Sequence, residues 1–407
     1  MLYPVNHAVR ESSIGRKSSR NSVPLIRTHG ADGSVARKPH QQKEDIHMER
    51  VFNFSAGPAM IDESVLKRAA DELICYGDKG MSVMEMSHRS GMYIDIYNET
   101  VSLFKQVMGV PEGYDVLFLQ GGATLEFSGV PLNLMTGSKT ADYIDSGNFA
   151  HLAAEEAKRY GTVNVVASSR DDNYTYVPDV DTIHFSPDAD YVYITPTNTI
   201  YGTRYIKLPN TGSVPLVADA SSNILSEPMD VSKFGVIYAG AQKNIGPAGL
   251  CILTVRHDLL GKASPLCPKL MNWELQAKND SMVNTPNTYG IYMAKLVFEW
   301  LLKLGGVPAM YERNKMKAGL LYDYLDASKL FKTPVQKEYR SLMNVTFVTG
   351  DPDKDAAFVK FCAKNGLVNI KGHRNVGGMR ASIYNAMPVE GVRKLVDVMA
   401  QFEKENA

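Results

Sequence analysis

The chain alternates short apolar runs with amphipathic segments from Met48 onward, and this alternation is typical of an α/β protein. Apolar residues at helical spacing predict helices at 62–76, 92–108, 151–160, 289–304, 308–325, 353–365 and 388–403. Runs rich in β-branched and aromatic residues predict strands at 115–119, 140–144, 163–167, 191–195, 214–218, 236–239, 250–255, 343–349 and 379–383. The runs between 115 and 255 are nearly continuously apolar, as in parallel strands covered on both faces. We therefore predict a large, doubly wound and mostly parallel sheet.

The spacing of the predicted elements changes after Gly305-Gly306, where helix, strand, helix, strand and helix follow one another. This pattern predicts a smaller α+β domain. We expect the large domain to span 61–305 and the small domain to combine 48–60 with 306–407. Residues 1–47 are rich in Ser, Arg, His and Gly and have no apolar periodicity, so we expect a disordered leader.

Composition and charge exclude several classes of protein. The 407 residues are 44% hydrophobic and 22% charged, with 44 basic and 44 acidic side chains, as in an ordinary globular protein. The leader has eight basic and four acidic residues, so it carries +4 and the rest of the chain −4, which gives no reason to expect a nucleic-acid partner. The most apolar helix contains Glu299 and Lys303, so no membrane span is predicted.

The four cysteines are far apart and form no CxxC motif, so we predict neither a disulfide framework nor a metal site. Reduced thiols fit a cytoplasmic protein. An organelle transit peptide within residues 1–47 is the alternative, but the four acidic residues and the lack of an amphipathic stripe argue against it. We favour Met48 as the natural start of the chain, with an inert leader before it.

Ligands of open α/β sheets bind at the carboxyl ends of the strands, so the residues after each predicted strand are the candidates for chemistry. Gly121-Gly122 follows one strand and opens a helix, where backbone N–H groups favour a phosphate. Asp219 ends another strand. Each signal is weak alone, because a Gly-Gly turn is more often structural and an Asp at a strand end is as often a helix cap.

The strongest signal is Lys243, which directly follows the strand at 236–239 and lies among small residues and a Gly-Pro turn. A solvated surface lysine needs no such surroundings, whereas a half-buried lysine has a lowered pKa and can form a Schiff base. A buried amine, an upstream carboxylate and a phosphate-binding turn together are the groups of a pyridoxal phosphate site.

The sequence resembles the phosphoserine aminotransferase family, whose members are fold-type I pyridoxal phosphate-dependent transferases. The matching stretches occur in the family's order from Met48 to the C-terminus, and they are 52–58, 85–89, 238–249, 281–286, 371–374 and 378–382. The resemblance implies that Lys243 binds the cofactor and shuttles a proton, and that Asp219 pairs with the pyridine nitrogen. It further implies a ring-hydroxyl contact from Thr199 and phosphate contacts from Ala123, Thr124 and Gln242, with Asn284 and Thr285 supplied by the partner of a homodimer.

Two positions depart from the pattern of many family members. Phe149 stands where they have a tryptophan stacked on the cofactor ring, and its flat ring should also stack. Ala123-Thr124 stands where many have Gly-Arg or Gly-Cys, so the N–H donors remain but a charged contact of some relatives is absent.

The substrates that the resemblance implies each carry an α-carboxylate and a second, distal anion, so one pocket needs two cationic subsites. We predict that Arg380 binds the α-carboxylate as a bidentate pair. The distal phosphate or γ-carboxylate should then be bound by a group of four side chains, namely His88, Arg89, His373 and Arg374. The resemblance implies that His88 and Arg89 come from the other protomer.

The implied reaction is the reversible transamination of 3-phosphooxypyruvate with L-glutamate, giving O-phospho-L-serine and 2-oxoglutarate in serine biosynthesis. The sequence leaves open whether the phosphorylated hydroxythreonine of vitamin B6 synthesis is also a substrate. The alternatives are a serine–glyoxylate aminotransferase, a cysteine desulfurase or a non-catalytic scaffold. A desulfurase needs a mobile cysteine, and neither Cys251 in an apolar strand nor Cys362 on a helix suits that role.

Deleting residues 1–47 is expected to leave the melting temperature and the steady-state kinetics nearly unchanged, because a charged, aperiodic segment contributes little buried apolar area. Thermal unfolding and initial-rate assays of the shortened and full-length chains measure this. A large loss of stability or activity would show that the leader packs against the rest of the protein.

Overall fold

The computed structural model describes residues 50–406, so the prediction for residues 1–47 lies outside the described part. Its strands are β1 (Phe52–Asn53), β2 (Tyr114–Gln120), β3 (Thr140–Asp145), β4 (Thr162–Ser168), β5 (Tyr191–Ile194), β6 (Leu216–Asp219), β7 (Val236–Gly240), β8 (Leu250–Arg256), β9 (Asn344–Phe347), β10 (Leu367–Val368) and β11 (Met379–Ser382). Seven of them form the central sheet in the order β2-β8-β7-β6-β5-β3-β4. All nine predicted strands are present, and the short strands β1 and β10 were not predicted.

The central sheet is parallel except at β8, which runs antiparallel to both β2 and β7. A mostly parallel sheet is therefore confirmed. Strand β8 is the one strand of this sheet that runs in the opposite direction. The connection from β7 to β8 is residues 241–249, which is too short for the crossover that a parallel pair requires.

The helices are α1 (Glu63–Asp71), α2 (Gly91–Met108), α3 (Glu126–Leu134), α4 (Asn148–Ala157), α5 (Trp273–Lys278), α6 (Thr288–Lys303), α7 (Gly306–Ala327), α8 (Pro352–Lys364) and α9 (Val389–Asn406). Seven correspond to the predicted helices. The bounds of α3 and the presence of α5 were not predicted, because α3 contains Gly129 and Pro131 and α5 has only six residues. None of the helices in the described range is long and apolar enough to cross a bilayer.

Helices cover both faces of the central sheet. One apolar core joins α2 and α6 to one face, and Phe104 and Phe298 meet in it with ring centroids 5.4 Å apart. The other core joins α3, α4 and the buried Trp273 of α5 to the opposite face. The strands are thus apolar on both sides, which is why their sequences show no alternation.

A third apolar core lies in the C-terminal part of the chain. It contains Phe54 together with residues of α7, α8, α9 and the antiparallel pair β9 and β11. Strand β1 pairs in parallel with β10, which attaches the segment after residue 50 to this region. The division of this part of the chain into a separate small domain stays a prediction.

One charged group is fully buried in this region. Lys317 of α7 is 0% exposed, and its Nζ donates to the carbonyl oxygens of Ile383, Tyr384 and Met387 at 3.0, 2.7 and 3.2 Å. Burial, with a smaller contribution from Arg313, holds the pKa of Lys317 well below its ordinary value. Lys317 therefore fixes the turn between β11 and α9 at the cost of burying an amine.

Replacing Lys317 by Met is expected to lower the free energy of unfolding by about 2–4 kcal/mol, because three buried carbonyls lose their donor. Urea unfolding followed by circular dichroism measures the change. Lys315→Met is the matched control, since Lys315 lies on the same helix and makes an exposed ion pair with Glu312. The control should change stability by less than about 0.5 kcal/mol, and equal effects of the two variants would contradict the assigned role of Lys317.

Candidate active site

A cavity of about 420 Å³ opens where the parallel strands of the central sheet end. Its walls come from the segments that follow β2, β5, β6 and β7, which is where ligands bind in open α/β sheets. Its lining includes most of the candidate residues, namely Ala123, Thr124, Phe149, Thr199, Asp219, Gln242, Lys243, His373 and Arg380. The fold thus brings together side chains that are up to 257 positions apart in the sequence, from Ala123 to Arg380.

Lys243 lies three residues beyond the end of β7, in the turn that leads back to β8. Its Nζ donates to Thr199 Oγ1 at 2.7 Å and to Ser222 Oγ at 2.9 Å. The side chain is half-buried because it faces the cavity. Burial lowers the pKa of the amine to about 8, with Asp219 acting against this shift and Arg380 acting in the same direction. A lysine in these surroundings is a good nucleophile near neutral pH.

Asp219 ends β6 and is 5% exposed. Burial raises the pKa of its carboxyl group, whereas Lys243 and two hydrogen bonds from Ser221 favour the ionised form. Oδ1 accepts from Ser221 N at 3.0 Å and from Ser221 Oγ at 2.6 Å. Ser221 Oγ in turn accepts from Gly240 N at 3.0 Å, which attaches the carboxylate to the end of β7.

The turn after β2 is shaped to receive an anion. Gly121 and Gly122 have φ angles of +98° and +88°, a conformation that glycine adopts without strain. They are followed by a 3₁₀ turn, Ala123–Leu125, that runs into α3, and no side chain caps this helical start. The N–H groups of Ala123 and Thr124 therefore have no side-chain cap, and both residues line the cavity. Gln242 lies opposite, on the β7–β8 turn.

Phe149 lies in the first turn of α4, and its ring centroid is 5.8 Å from Lys243 Nζ. The start of α4 is fixed by a close approach between Gly147 and Asn198. A Cβ at position 147 would lie 1.6 Å from Asn198 Oδ1, so only glycine fits there. Asn198 Nδ2 donates to Ser146 O at 2.6 Å and holds the loop that carries Thr199.

The cationic side of the cavity is formed by β11 and the segment before it. Arg380 donates from Nη1 to Thr199 O at 3.2 Å, and its Nε has no partner among the described residues. Burial lowers the pKa of Arg380. His373 also lines the cavity, and burial, Arg380 and Arg374 all lower its pKa. Arg374 is exposed and does not line the cavity of this chain.

Four other predicted site residues also lie outside this cavity. His88 is buried and Arg89 exposed in the segment that precedes α2, and neither lines the cavity. Asn284 and Thr285 precede α6, where Gln120 Nε2 donates to Asn284 Oδ1 at 2.9 Å and to Thr285 O at 3.1 Å. Their assignment to the site of a partner chain stays a prediction.

Four polar residues that line the cavity were not predicted as site residues, namely Thr195, Thr197, Ser221 and Ser222. Ser221 and Ser222 follow Asp219 directly, so the strand end signalled their place but not their contacts. Thr195 lies just beyond the end of β5, lines the cavity and is 3% exposed. Sequence spacing alone does not show which hydroxyls of adjacent strand ends face each other.

Comparison with known proteins gives consistent relatives. The sequence profile of the family described as Aminotransferase class-V matches residues 51–395. A phosphoserine aminotransferase of Bacillus cereus is 53% identical over 359 residues, which are 88% of this chain and 100% of the relative. One from Listeria monocytogenes is 52% identical over 357 residues, 87% of this chain and 97% of the relative.

Solved structures agree with the sequence relatives. The phosphoserine aminotransferase of Bacillus circulans subsp. alkalophilus superposes with a TM-score of 0.87 at 42% identity, covering 88% of this chain and 100% of the other. The pyridoxal phosphate-bound enzyme of Trichomonas vaginalis has a TM-score of 0.83 at 40% identity, covering 86% and 100%. These relatives confirm the resemblance inferred from the sequence. The chain therefore belongs to the class-V aminotransferase family and, within it, to the phosphoserine aminotransferases.

Proposed function

We propose that this chain uses pyridoxal phosphate in its cavity to exchange an amino group between L-glutamate and 3-phosphooxypyruvate, giving 2-oxoglutarate and O-phospho-L-serine in a reversible reaction. The observation that carries the proposal is the amine of Lys243, held with a pKa of about 8 between Asp219 and Arg380 at the sheet edge. An amine, a carboxylate and a guanidinium in one cavity supply the base, the ring partner and the carboxylate clamp of an aminotransferase.

The residues present fit pyridoxal phosphate. The uncapped helical start at Ala123–Leu125 would hold the phosphate, with Thr124 and Gln242 beside it. Asp219 would accept a hydrogen bond from the pyridine nitrogen, and Thr199 one from the ring hydroxyl. The N–H groups of the first turn have no capping side chain, so the phosphate would supply the acceptors that the described residues do not.

Pyridoxal phosphate, when bound, supplies the electron sink that stabilises negative charge at the substrate Cα. The protein supplies the proton transfer and the orientation. With a pKa of about 8, about one tenth of Lys243 is uncharged at pH 7, and in that form Nζ can take a proton from the substrate and return it. Phe149 would cover one face of the ring, which excludes water from that side.

Substrate binding follows from the cationic side of the cavity. Arg380 has lost most of its contact with water, its Nη1 donates to the carbonyl of Thr199, and its buried Nε has no partner among the described residues. The remaining donors suit an α-carboxylate, bound as a bidentate pair. His373 would contact the distal anion, which would favour the protonated imidazole and so oppose the present lowering of its pKa. We propose that Arg374 joins it there.

A homodimer would complete the site with His88, Arg89, Asn284 and Thr285 of the partner chain. None of these four residues lines the cavity of its own chain, which supports their assignment to the site of a partner. All four cysteines are unpaired, which supports a reducing compartment such as the cytoplasm.

Two alternative functions, a cysteine desulfurase and a non-catalytic scaffold, fit the cavity less well. A cysteine desulfurase needs a mobile thiol at the cavity, whereas Cys251 and Cys362 are both 0% exposed and none of the four cysteines lines the cavity. A non-catalytic scaffold would not need an amine whose pKa is lowered by burial at the edge of a polar cavity. An absorbance spectrum of the purified full-length protein separates a cofactor-binding enzyme from a scaffold.

Lys243→Ala is expected to remove the near-visible absorbance of the bound cofactor and to lower transamination by about 10³-fold or more, because no other amine among the cavity residues can replace it. Spectra and coupled assays with O-phosphoserine measure both effects. The control is Lys233→Ala, which changes an exposed lysine just before β7. This variant should keep the absorbance of the bound cofactor and the transamination activity. Full activity of Lys243→Ala without an added amine would overturn the assignment.

Arg380→Ala is expected to lower kcat/KM about 10–100-fold for O-phosphoserine and for alanine alike, because both substrates carry the α-carboxylate. Arg374→Ala should lower kcat/KM for O-phosphoserine and glutamate but spare alanine, whose side chain is too short for the distal subsite. The quantity to compare is the ratio of kcat/KM for O-phosphoserine over alanine.

The exposed Arg393 of α9 offers the control variant Arg393→Ala, in which this ratio should stay at its wild-type value. An equal loss for both substrates in Arg374→Ala, or a loss limited to the phosphorylated substrate in Arg380→Ala, would show that the two subsites are divided differently.

A further inference from the structure

Three polar atoms form a closed triangle at the base of the cavity. Lys243 Nζ lies 2.7 Å from Thr199 Oγ1 and 2.9 Å from Ser222 Oγ, and the two hydroxyl oxygens are 2.6 Å apart. Ser222 is 1% exposed and Thr199 5% exposed. Water therefore has little access to the two hydroxyls, which are the hydrogen-bond acceptors of Nζ among the described residues.

The two hydroxyls can orient the uncharged amine. A neutral amine has two N–H bonds and one lone pair, whereas an ammonium group has three N–H bonds. The hydroxyls of Thr199 and Ser222 each accept one N–H of Nζ, and in the neutral form these are both of its hydrogens. With both hydrogens directed at the hydroxyls, the lone pair stays free for reaction.

Ser222 is itself held in place by the C-terminal part of the chain. Its side chain interacts with Tyr384, whose hydroxyl donates to Ala56 O at 3.0 Å and accepts from Asn344 Nδ2 at 3.1 Å. Asn244 Nδ2 contacts the Ser222 carbonyl at 3.4 Å. The hydroxyl is thus fixed from two sides.

The hydroxyls of Thr199 and Ser222 differ in the other groups that they would bind in the cavity. Under the proposed function, Thr199 also serves the ring hydroxyl of the cofactor, so its hydroxyl is shared. Ser222 has no such second task on the cavity side. It is therefore the acceptor that stays available to Lys243 whenever the amine is not bonded to the cofactor.

We propose that Ser222 is a positioning residue, whose Oγ accepts an N–H of the free Lys243 amine and thereby directs the lone pair of that amine toward the reacting atoms. This role rests on the proposed function, because it concerns the lysine that would carry the cofactor. The hydrogen bond itself, however, can be tested on the chain without any cofactor.

The sign of the expected effect follows from the groups that face Lys243. Burial and Arg380 lower the pKa of the amine, and Asp219 raises it. An accepting hydroxyl favours the ammonium form, since a charged donor makes the stronger hydrogen bond. Removing the acceptor should therefore lower the pKa, whereas removing a hydroxyl that donated to the amine would raise it.

The test is the pH dependence of acetylation of Lys243 in the full-length, cofactor-free protein, with trace acetic anhydride as the probe and mass spectrometry of the Lys243 peptide as the readout. In the wild-type chain the midpoint should lie near pH 8. Ser222→Ala should move it about one pH unit lower, the shift expected for one lost hydrogen bond to a charged group. An unchanged or raised midpoint would overturn the proposal.

The matched control is Ser226→Ala. Ser226 is a buried serine of the same segment that donates to Asn223 O at 2.7 Å and has no hydrogen bond with Lys243. In Ser226→Ala the midpoint of Lys243 acetylation should equal that of the wild type. Ser222→Thr keeps the hydroxyl and should also keep the midpoint, which separates loss of the acceptor from loss of packing. If Ser222→Ala does not fold, Ser222→Cys, whose thiol is a weak acceptor, gives the same test.

In the holoenzyme, Ser222→Ala should lower kcat about tenfold while KM for glutamate changes less than about twofold, because orientation of the amine is lost and substrate binding is not. Loss of substrate binding without loss of kcat would contradict the proposal. If the wild-type protein neither binds the cofactor nor transaminates, the proposed function fails, and the acetylation midpoints still decide whether the hydrogen bond exists.

Discussion

The burial of one amine at the edge of a sheet is the constraint on which the rest of this structure depends. Lys243 must be enclosed enough to lose its proton near neutral pH, yet its Nζ must still face a cavity that admits a substrate. Burial alone would lower the pKa further than is useful, and Asp219 counteracts it. The balance requires a carboxylate at the end of the neighbouring strand β6, which a parallel β6–β7 pair provides.

Hydrogen bonds connect this amine to the C-terminal apolar core. Asn385 N donates to Asn244 Oδ1 at 3.0 Å, and Asn314 Nδ2 of α7 donates to Asn385 Oδ1 at 2.9 Å. Lys317, one turn further along α7, holds the carbonyls on either side of Asn385. The segment that carries Arg380 is therefore fixed relative to Lys243 by buried polar contacts, which position side chains more specifically than apolar packing does.

Helices and strands were predicted correctly where the local sequence signal is strong. The prediction failed where pairing with another segment determines the direction or the existence of a strand. Helices such as α2 have an amphipathic repeat, a serine cap at Ser90 and a left-handed glycine at Gly109, so both ends are encoded locally. Strand β8 has the same apolar character as the parallel strands, and only the length of its connection reveals its opposite direction. The two-residue strands β1 and β10 exist because they pair with each other across more than 300 positions.

The sequence by itself determined that Lys243 follows a buried strand among small residues, that Asp219 ends another strand, and that Gly121-Gly122 opens a helix, because each of these signals is contained in a few consecutive residues. Only the tertiary structure decided which hydroxyls surround the amine. Thr199, Ser222 and Arg380 come from three separate segments, and their distances to each other and to Nζ depend on strand order and on where the fold places β11. Composition and periodicity carry no information on such distances, because they describe which face of an element is buried and not which element it meets.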